Sequence, residues 1–557
     1  LFINGKITAH KNAVLFFEVK IMSNKKFYIT TPIYYPSASP HLGHAYCTTM
    51  CDIIARGKRL RGFDTYFLTG TDEHGEKIEK NAKAKGVTPQ QFVDEVATRF
   101  KDLWKAMYIS NDDFIRTTDK RHVETVTKIF SRLLKQDDIY LSSYTGWYCV
   151  HEETYWTETQ VGEEHLCPEC HRPVEKKDEP AYFYRCQKYV DSLLKYYEEN
   201  PKFITPENRK NEMVNTFIKP GLQDLCVSRT SFTWGIPVKE NPKHVIYVWL
   251  DALTNYITAL GYLQDDDSKF KKYWEDENCE IVHVIGADIT RFHTIYWPMF
   301  LESLNLRKPN RIFVHGLLMM KDGKMSKSKG NTISAYPLIE RYGVDAVRYY
   351  MALEIPFGMD GVFTPEQFVM RINQDLANNL GNLLNRTVSM INKYFNGIIP
   401  SFKSSITPLD QELEEMVKST IDRYETLSDD LKVTEAYTEV MNLVSRANKY
   451  IEETTPWALA KDENKKEQLE SVMSHLSFVL FVAGMLLKPI LVTKSDKIFD
   501  QLGLKEEGRV YENIHNPSCL DGLKVEKGEQ LFPRLDSESE IQAITSMMNG
   551  PKEKAAA

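Results

Sequence analysis

The run Phe27–Ile33 is apolar, and it leads through Pro40-His41-Leu42-Gly43-His44 into a stretch of helical character, Ala45–Arg61. A strand, a tight turn holding one glycine and a helix start are the parts from which a doubly wound sheet builds a nucleotide site. Glycine lets a phosphate or an adenine ring approach the backbone, the helix end offers N–H groups, and the histidines add side-chain donors for phosphate oxygens. Taken alone, two histidines beside a turn are more often surface or packing residues.

The rest of the chain extends that pattern. Up to about Tyr140, short apolar runs alternate with amphipathic helices at Thr88–Met107 and Asp119–Gln136, and the order strand, helix, strand argues for a parallel sheet. Ligands of such a sheet sit at the carboxyl ends of its strands, the position of both His41 and Asp72. From 141 to 240 the alternation gives way to a segment rich in cysteine and aromatic residues, which reads as an insertion. The sheet resumes over 241–330, with His244–Trp249 and Ile281–Ile285 as strands each followed by a helix. Residues 331–381 form a connecting unit, in which Asp360–Pro365 is a turn capping the next helix. Residues 382–540 are almost wholly helical, with amphipathic segments such as Leu413–Leu431 and Leu469–Leu487, and read as a helix bundle. Residues 541–557 are a tail ending in Lys, Glu and Ala.

The expected architecture is therefore α/β: a doubly wound parallel-sheet nucleotide-binding catalytic domain, split at 22–140 and 241–330 by the insertion, with a C-terminal α-helical bundle. A chain of 557 residues has room for several units at ~150 residues each. Residues 1–21 read as an extension ahead of a natural start at Met22, a transit or signal peptide being the alternative.

Composition excludes more than it selects. The formal net charge of −7 means that a polyanion must be held by a local basic face or by shape. Nine cysteines in a chain of this size do not form a secreted disulfide framework, so a reducing compartment, the cytoplasm, is expected. No uninterrupted run reaches the ~18 apolar residues of a membrane span, and no membrane association is expected.

A second motif lies far along the chain at Lys324-Met325-Ser326-Lys327-Ser328, flanked by Gly323 and Gly330. A lysine-rich loop by itself is usually a solvated turn. Together with His41-Leu42-Gly43-His44, in this order, it resembles the paired motifs of the class I aminoacyl-tRNA synthetases. Two further stretches, Tyr247-Val248-Trp249-Leu250-Asp251-Ala252 with Tyr256, and Gly70-Thr71-Asp72-Glu73-His74-Gly75, resemble the methionine-specific members, from Lys26 to about Asp536. The large editing insertion of the leucine, isoleucine and valine enzymes has no room here. A small nucleotidyltransferase would need neither insertion nor bundle. A non-catalytic tRNA-binding relative would be expected to lose the phosphate-contacting groups.

The resemblance implies a ligase that activates methionine with ATP, assisted by Mg2+, and transfers it to the 3′ end of tRNA(Met). Because a carboxylate attacks the α-phosphate, no general base is needed, and catalysis reduces to positioning and charge stabilisation. It implies His41, His44, Lys324 and Lys327 as catalytic donors to the phosphates, and Gly43, Gly286, Asp288, Ser326 and Ser328 as further ATP contacts. The glycines flanking the lysine loop suit closure over ATP. Asp72 would take the ammonium group of methionine, and Ile33, Tyr35, Trp249, Ala252, Tyr256, Ile289 and His293 would form its pocket. One departure is Ala287, where many members carry a lysine. In the bundle, Asn382, Arg386 and Trp457 match the family's readers of the anticodon. Without the family, a surface salt bridge for Arg386 and helix packing for Trp457 are the plainer readings.

Cys167-Pro168-Glu169-Cys170 has the form of a zinc half-site, with Cys149 as third thiol. Family members complete the set with a second pair, but Glu152 stands where the partner of Cys149 is expected. The fourth ligand is then Glu152 or His151, and a metal-free remnant of the knuckle is the alternative. The appended barrel that makes some members dimers is not seen, so a monomer is expected.

Overall fold

The computed structural model describes residues 25–37, 39–150, 154–156, 158–320, 323–324 and 333–548. The expected extension 1–21, the end of the tail, His151, Glu152 and the lysine-loop residues Ser326, Lys327 and Ser328 lie outside the described residues, and of Lys324 only the backbone is described. The chain divides into two compact units. Of the described residues, one unit comprises those up to Pro40 and those within Asp64–Asp102 and Asn111–His315; the other comprises those within His41–Phe63 and Leu103–Ser110 and those from Gly316 onward.

The first unit is built on a six-stranded sheet in the order Asp113–Arg116, Asp64–Thr71, Lys26–Tyr34, Cys279–Gly286, Arg311–His315, Ile204–Thr205. Every neighbouring pair is parallel, as the alternation predicts. Phe27, Tyr28 and Ile29 are completely buried, which is why the first strand carries apolar residues at consecutive positions rather than on alternate ones. That strand is central. The next strand in sequence lies on one side of it and Cys279–Gly286 on the other, so the strand order reverses at its carboxyl end, the crevice where open α/β sheets bind ligands.

The insertion carries a four-stranded antiparallel sheet, with Ile139–Cys149 paired along its length with Glu175–Tyr184. It also returns Ile204–Thr205 to the edge of the parallel sheet, paired with Ile312 and Phe313. One expectation needs correction here. His244–Trp249 is not a strand of the parallel sheet; Val245 and Ile246 form a two-residue strand that pairs antiparallel with Ser228 and Arg229. The helix Val248–Leu253 starts at once, and the apolar residues of the segment are buried by packing rather than by strand pairing.

The second unit is mainly helical. Its first helix, Leu42–Leu60, is bound to later segments of the same unit by Arg348, which is fully buried. The guanidinium donates to Asp52 Oδ2 at 2.6 Å, Met107 O at 3.0 Å, Pro489 O at 2.7 Å and Ile490 O at 3.1 Å. A buried charge is tolerable because its donors are satisfied in this way. The expected turn before Pro365 is a true cap, with Thr364 Oγ1 accepting from Gln367 N. The bundle consists of Asn382–Phe395, Pro408–Asp429, Val433–Thr454 and Lys466–Leu487. Contrary to the expectation from uninterrupted runs, Glu463–Leu487 contains a window apolar enough to cross a membrane, but 94% of that window is buried inside the protein. It is the core helix of the bundle, apolar all round because neighbours cover it on every side.

Candidate functional site

At the crevice, a chain of contacts ties together the segments that the sequence singles out. Asp72 N donates to Tyr34 O at 3.0 Å, fixing the end of the second strand to the end of the first. Two residues on, His74 Nδ1 donates to Asp251 Oδ2 at 2.7 Å, joining that loop to the helix of Trp249. Trp249 lies flat on Phe292, with ring centroids 3.4 Å apart and planes 4° apart. Tyr256 and His293 meet at 2.7 Å through Tyr256 Oη and His293 Nε2. Asp72, Ala252, Tyr256 and His293 are buried, while Ile33, Tyr35, Trp249 and Ile289 are half-buried. Asp288 is exposed, in a short turn following Gly286. An open cleft with about 1570 Å³ of atom-free space runs along the outer side of Trp249, Phe292 and Tyr247.

The protonation states of the buried imidazoles follow from their partners. His293 Nδ1 faces the carbonyl of Ile289 at 3.0 Å and must donate to it, so Nε2 accepts the Tyr256 hydroxyl hydrogen. Burial holds the His293 pKa down to about 4, and the ring is neutral at physiological pH. His283, stacked on Tyr256 at 4.1 Å, is also pushed well below the usual histidine value by burial and by His293. Tyr256, His283 and His293 therefore form an aromatic, uncharged wall, the surroundings that suit an apolar side chain.

The spacing of Trp249 and Tyr256 suggests one shared helical face, but the helix breaks at Thr254 and the two rings sit in different surroundings. Trp249 stacks on Phe292, whereas Tyr256 lies among His283 and Trp297. Sequence reasoning missed Arg229, which is fully buried with its guanidinium 4.0 Å from the ring centroid of Tyr148. It also missed His283 and His122. No periodic signal marks any of these, because an isolated polar residue in an apolar stretch is informative only once its burial is known.

His41, Gly43 and His44 belong to the second unit, where they begin the helix Leu42–Leu60. His41 Nδ1 accepts from Gly43 N at 3.1 Å, and His44 Nδ1 accepts from His41 N at 3.1 Å, a reciprocal cap built from two histidines. With both Nδ1 atoms accepting, each ring in its neutral form carries its proton on Nε2. The rings stack at 3.8 Å. A Cβ at position 43 would lie 3.0 Å from His41 Cε1, tighter than ordinary contact, so glycine gives the imidazole room to fold back over the helix end. Leu42 N donates to Ile333 O at 3.0 Å, which fixes the residue following the lysine loop beside this turn.

The ligand sulfurs of Cys149, Cys167 and Cys170 lie within 4.8 Å of one another, and all nine cysteines are free of disulfides. Burial, together with the neighbouring thiols, pushes the Cys170 thiol up to about 12. Soft sulfur donors at this separation fit zinc, which would hold them as thiolates. In the bundle, Asn382 and Arg386 share one face at the start of Asn382–Phe395, and Arg386 donates to Glu452 at 2.6 Å. Trp457 is 41% exposed at a short helix begun by Pro456, so part of the ring faces solvent.

Comparison with known proteins gives matches over most of the chain. Residues 27–179 and 170–388 match the family described as tRNA synthetases class I (M), and residues 399–551 match the anticodon binding domain of methionyl tRNA ligase. The methionine–tRNA ligase of Halalkalibacterium halodurans is 54% identical over 539 residues, which is 95% of this chain and 81% of that one. That of Bacillus subtilis is 53% identical over 538 residues, 95% of this chain and 80% of that one. Among solved structures, Mycobacterium tuberculosis methionyl-tRNA synthetase in complex with methionyl-adenylate superposes with a TM-score of 0.87 at 40% identity, covering 92% of this chain and all of that one. The free form of the same enzyme gives 0.81 at 37% identity, covering 92% and 98%.

Proposed function

The chain belongs to the class I methionyl-tRNA synthetases, and from that premise we infer that it is a methionine–tRNA ligase whose amino-acid site is the hollow at the sheet crevice. It joins methionine to AMP at the expense of ATP, releases pyrophosphate, and passes the methionyl group to the terminal adenosine of tRNA(Met). The observation that carries the site assignment is the contact chain from Tyr34 and Asp72 through Asp251 to Trp249, Phe292 and the Tyr256–His293 pair.

In this reading Asp72 receives the ammonium group of methionine, and Trp249, Ile33, Ile289, Ala252, Tyr256 and His293 enclose the thioether. A neutral His293 suits that role, because an imidazolium would cost more beside an apolar chain than the thioether could return. The carboxylate of methionine attacks the α-phosphate directly. His41 and His44 donate from Nε2 to phosphate oxygens, while Lys324 and Lys327 bring positive charge to the departing pyrophosphate. A divalent cation carried in with ATP would supply further positive charge to offset that of the departing pyrophosphate. Asp288 follows a sheet-strand end, where a ribose hydroxyl would find an acceptor. Zinc, held by Cys149, Cys167, Cys170 and one further ligand, would brace the insertion and take no part in the reaction.

Pyrophosphate exchange into ATP, measured with each of the twenty amino acids, tests the assignment: methionine alone should support it at low concentration. A Lys327→Ala protein should lose exchange while still binding methionine. Exchange retained in that variant, or driven equally by leucine or isoleucine, counts against the reading.

A further inference from the structure

Asp251 is completely buried and makes two strong contacts with groups from other segments. One carboxylate oxygen lies 2.7 Å from His74 Nδ1 and the other 2.7 Å from His122 Nε2. A carboxylate has no hydrogen to give, so both imidazole nitrogens donate. His122, wholly buried, is completed by Thr258 Oγ1 at 2.7 Å from its Nδ1. Burial opposes the ionised carboxyl, and the two imidazoles outweigh it and hold Asp251 below its ordinary value. Packing alone does not call for such an arrangement, since an apolar side chain of the same volume fills a core at lower cost.

The positions of the partners suggest a purpose. His74 is two residues beyond Asp72, and Asp251 is two residues beyond Trp249. The backbone of the Asp72 loop is pinned at Asp72 N to Tyr34 O, at Glu73 N to Thr117 Oγ1, and at Glu73 O by Trp234 Nε1. These contacts attach the loop to the sheet and to the insertion. The contact from His74 to Asp251 attaches it to the helix Val248–Leu253, which bears Trp249.

We propose that Asp251 is a positioning residue for methionine: through His74 it sets the distance between the carboxylate of Asp72 and the ring of Trp249, the two ends of the amino-acid site. The proposal rests on the reading of Asp72 as the ammonium anchor. Asp251 touches no reacting atom. It fixes the separation of two groups that must grip opposite ends of one small molecule, and misplacement of either loosens methionine without changing how ATP is held.

The test measures KM for methionine, KM for ATP and kcat in pyrophosphate exchange, with melting temperatures, for the full chain and its variants Asp72→Asn, Asp251→Asn, His74→Ala and His74→Asn. Asp251→Asn and His74→Ala should each raise the methionine KM about tenfold, the effect of losing one charged hydrogen bond, with ATP KM and kcat within about twofold. The Asp251→Asn/His74→Ala double variant should raise the methionine KM no further than Asp251→Asn alone, because the contact that His74→Ala removes is already broken there. His74→Asn, whose amide nitrogen occupies the place of Nδ1, should recover most of the loss. Should Asp251→Asn fail to fold, the His74 pair carries the test, since it leaves the contact with His122 intact. A methionine KM within twofold of wild type in His74→Ala, or equal losses in all three parameters, overturns the positioning role if Asp72→Asn still raises that KM. A silent Asp72→Asn overturns the anchor assignment itself, and the proposal with it.

Discussion

The hydroxyl of Tyr256 gives its hydrogen to Nε2 of a neutral His293 across 2.7 Å, because Nδ1 of that ring is already committed to the carbonyl of Ile289. The pair thus has a fixed polarity in a buried wall. Tyr256→Phe removes the donor and leaves His293 Nε2 without it, which should raise the methionine KM in pyrophosphate exchange on the order of tenfold. An unchanged KM would place the pair outside the amino-acid site.

The same burial makes stability depend on pH. The folded His293 titrates at about 4 against an ordinary value of 6.5, so between those values the unfolded chain binds the proton and the folded one does not. Stability is therefore complete above pH 6.5 and is lost as pH falls toward 4, by roughly 3 kcal/mol for this group. His283 acts in the same direction. Melting temperatures recorded from pH 7.5 downward should fall through this window, and the slope should be shallower in His293→Gln.

Arg348 satisfies one carboxylate and three main-chain carbonyls of the second unit from a fully buried position. Arg348→Met should cost about 3 kcal/mol in urea unfolding, because Asp52 loses its nearest buried cation and the carbonyls lose their donors. Arg348→Met/Asp52→Leu should be less unstable than the sum of the single changes. An additive result would mean that the pair contributes packing and no charge compensation.

For the three-thiol cluster, purified protein should contain about one zinc ion per chain by elemental analysis. Cys167→Ser should lose it, and the thiols of the native protein should react with a mercurial only as zinc is released. A metal-free native protein with three rapidly titrating thiols would favour the remnant reading.

The bundle surface predicts a separation of the two half-reactions. Trp457→Ala and Arg386→Ala should each reduce kcat/KM for tRNA charging by about a hundredfold, as loss of stacking or of a charged contact to an unpaired base does, with exchange unchanged. Glu452→Gln should have the opposite sign at low salt, since the free protein pairs Glu452 with Arg386 and tRNA must break that pair. Equal loss of exchange in Trp457→Ala would show that it acts through stability.

The order of apolar runs and amphipathic stretches was enough to assign the parallel sheet, the insertion and the bundle, since burial on both faces of Phe27–Ile29 and on one face of Pro408–Asp429 is written as periodicity. The histidine turn and the segments of Asp72 and Trp249 stood out for a different reason, as short motifs that together with the lysine loop resemble those of the methionine-specific synthetases. What the one-dimensional pattern could not supply is the partner of each polar group. Asp251 looks like a solvated carboxylate in Trp-Leu-Asp-Ala until His74 and His122, each more than a hundred residues away in sequence, are found beside it. His244–Trp249 misled in the same way, because an apolar stretch does not reveal whether strands or helices will bury it. Periodicity records which faces avoid water, a local property; which donor meets which acceptor depends on chain closure over long separations, and only the folded chain decides it.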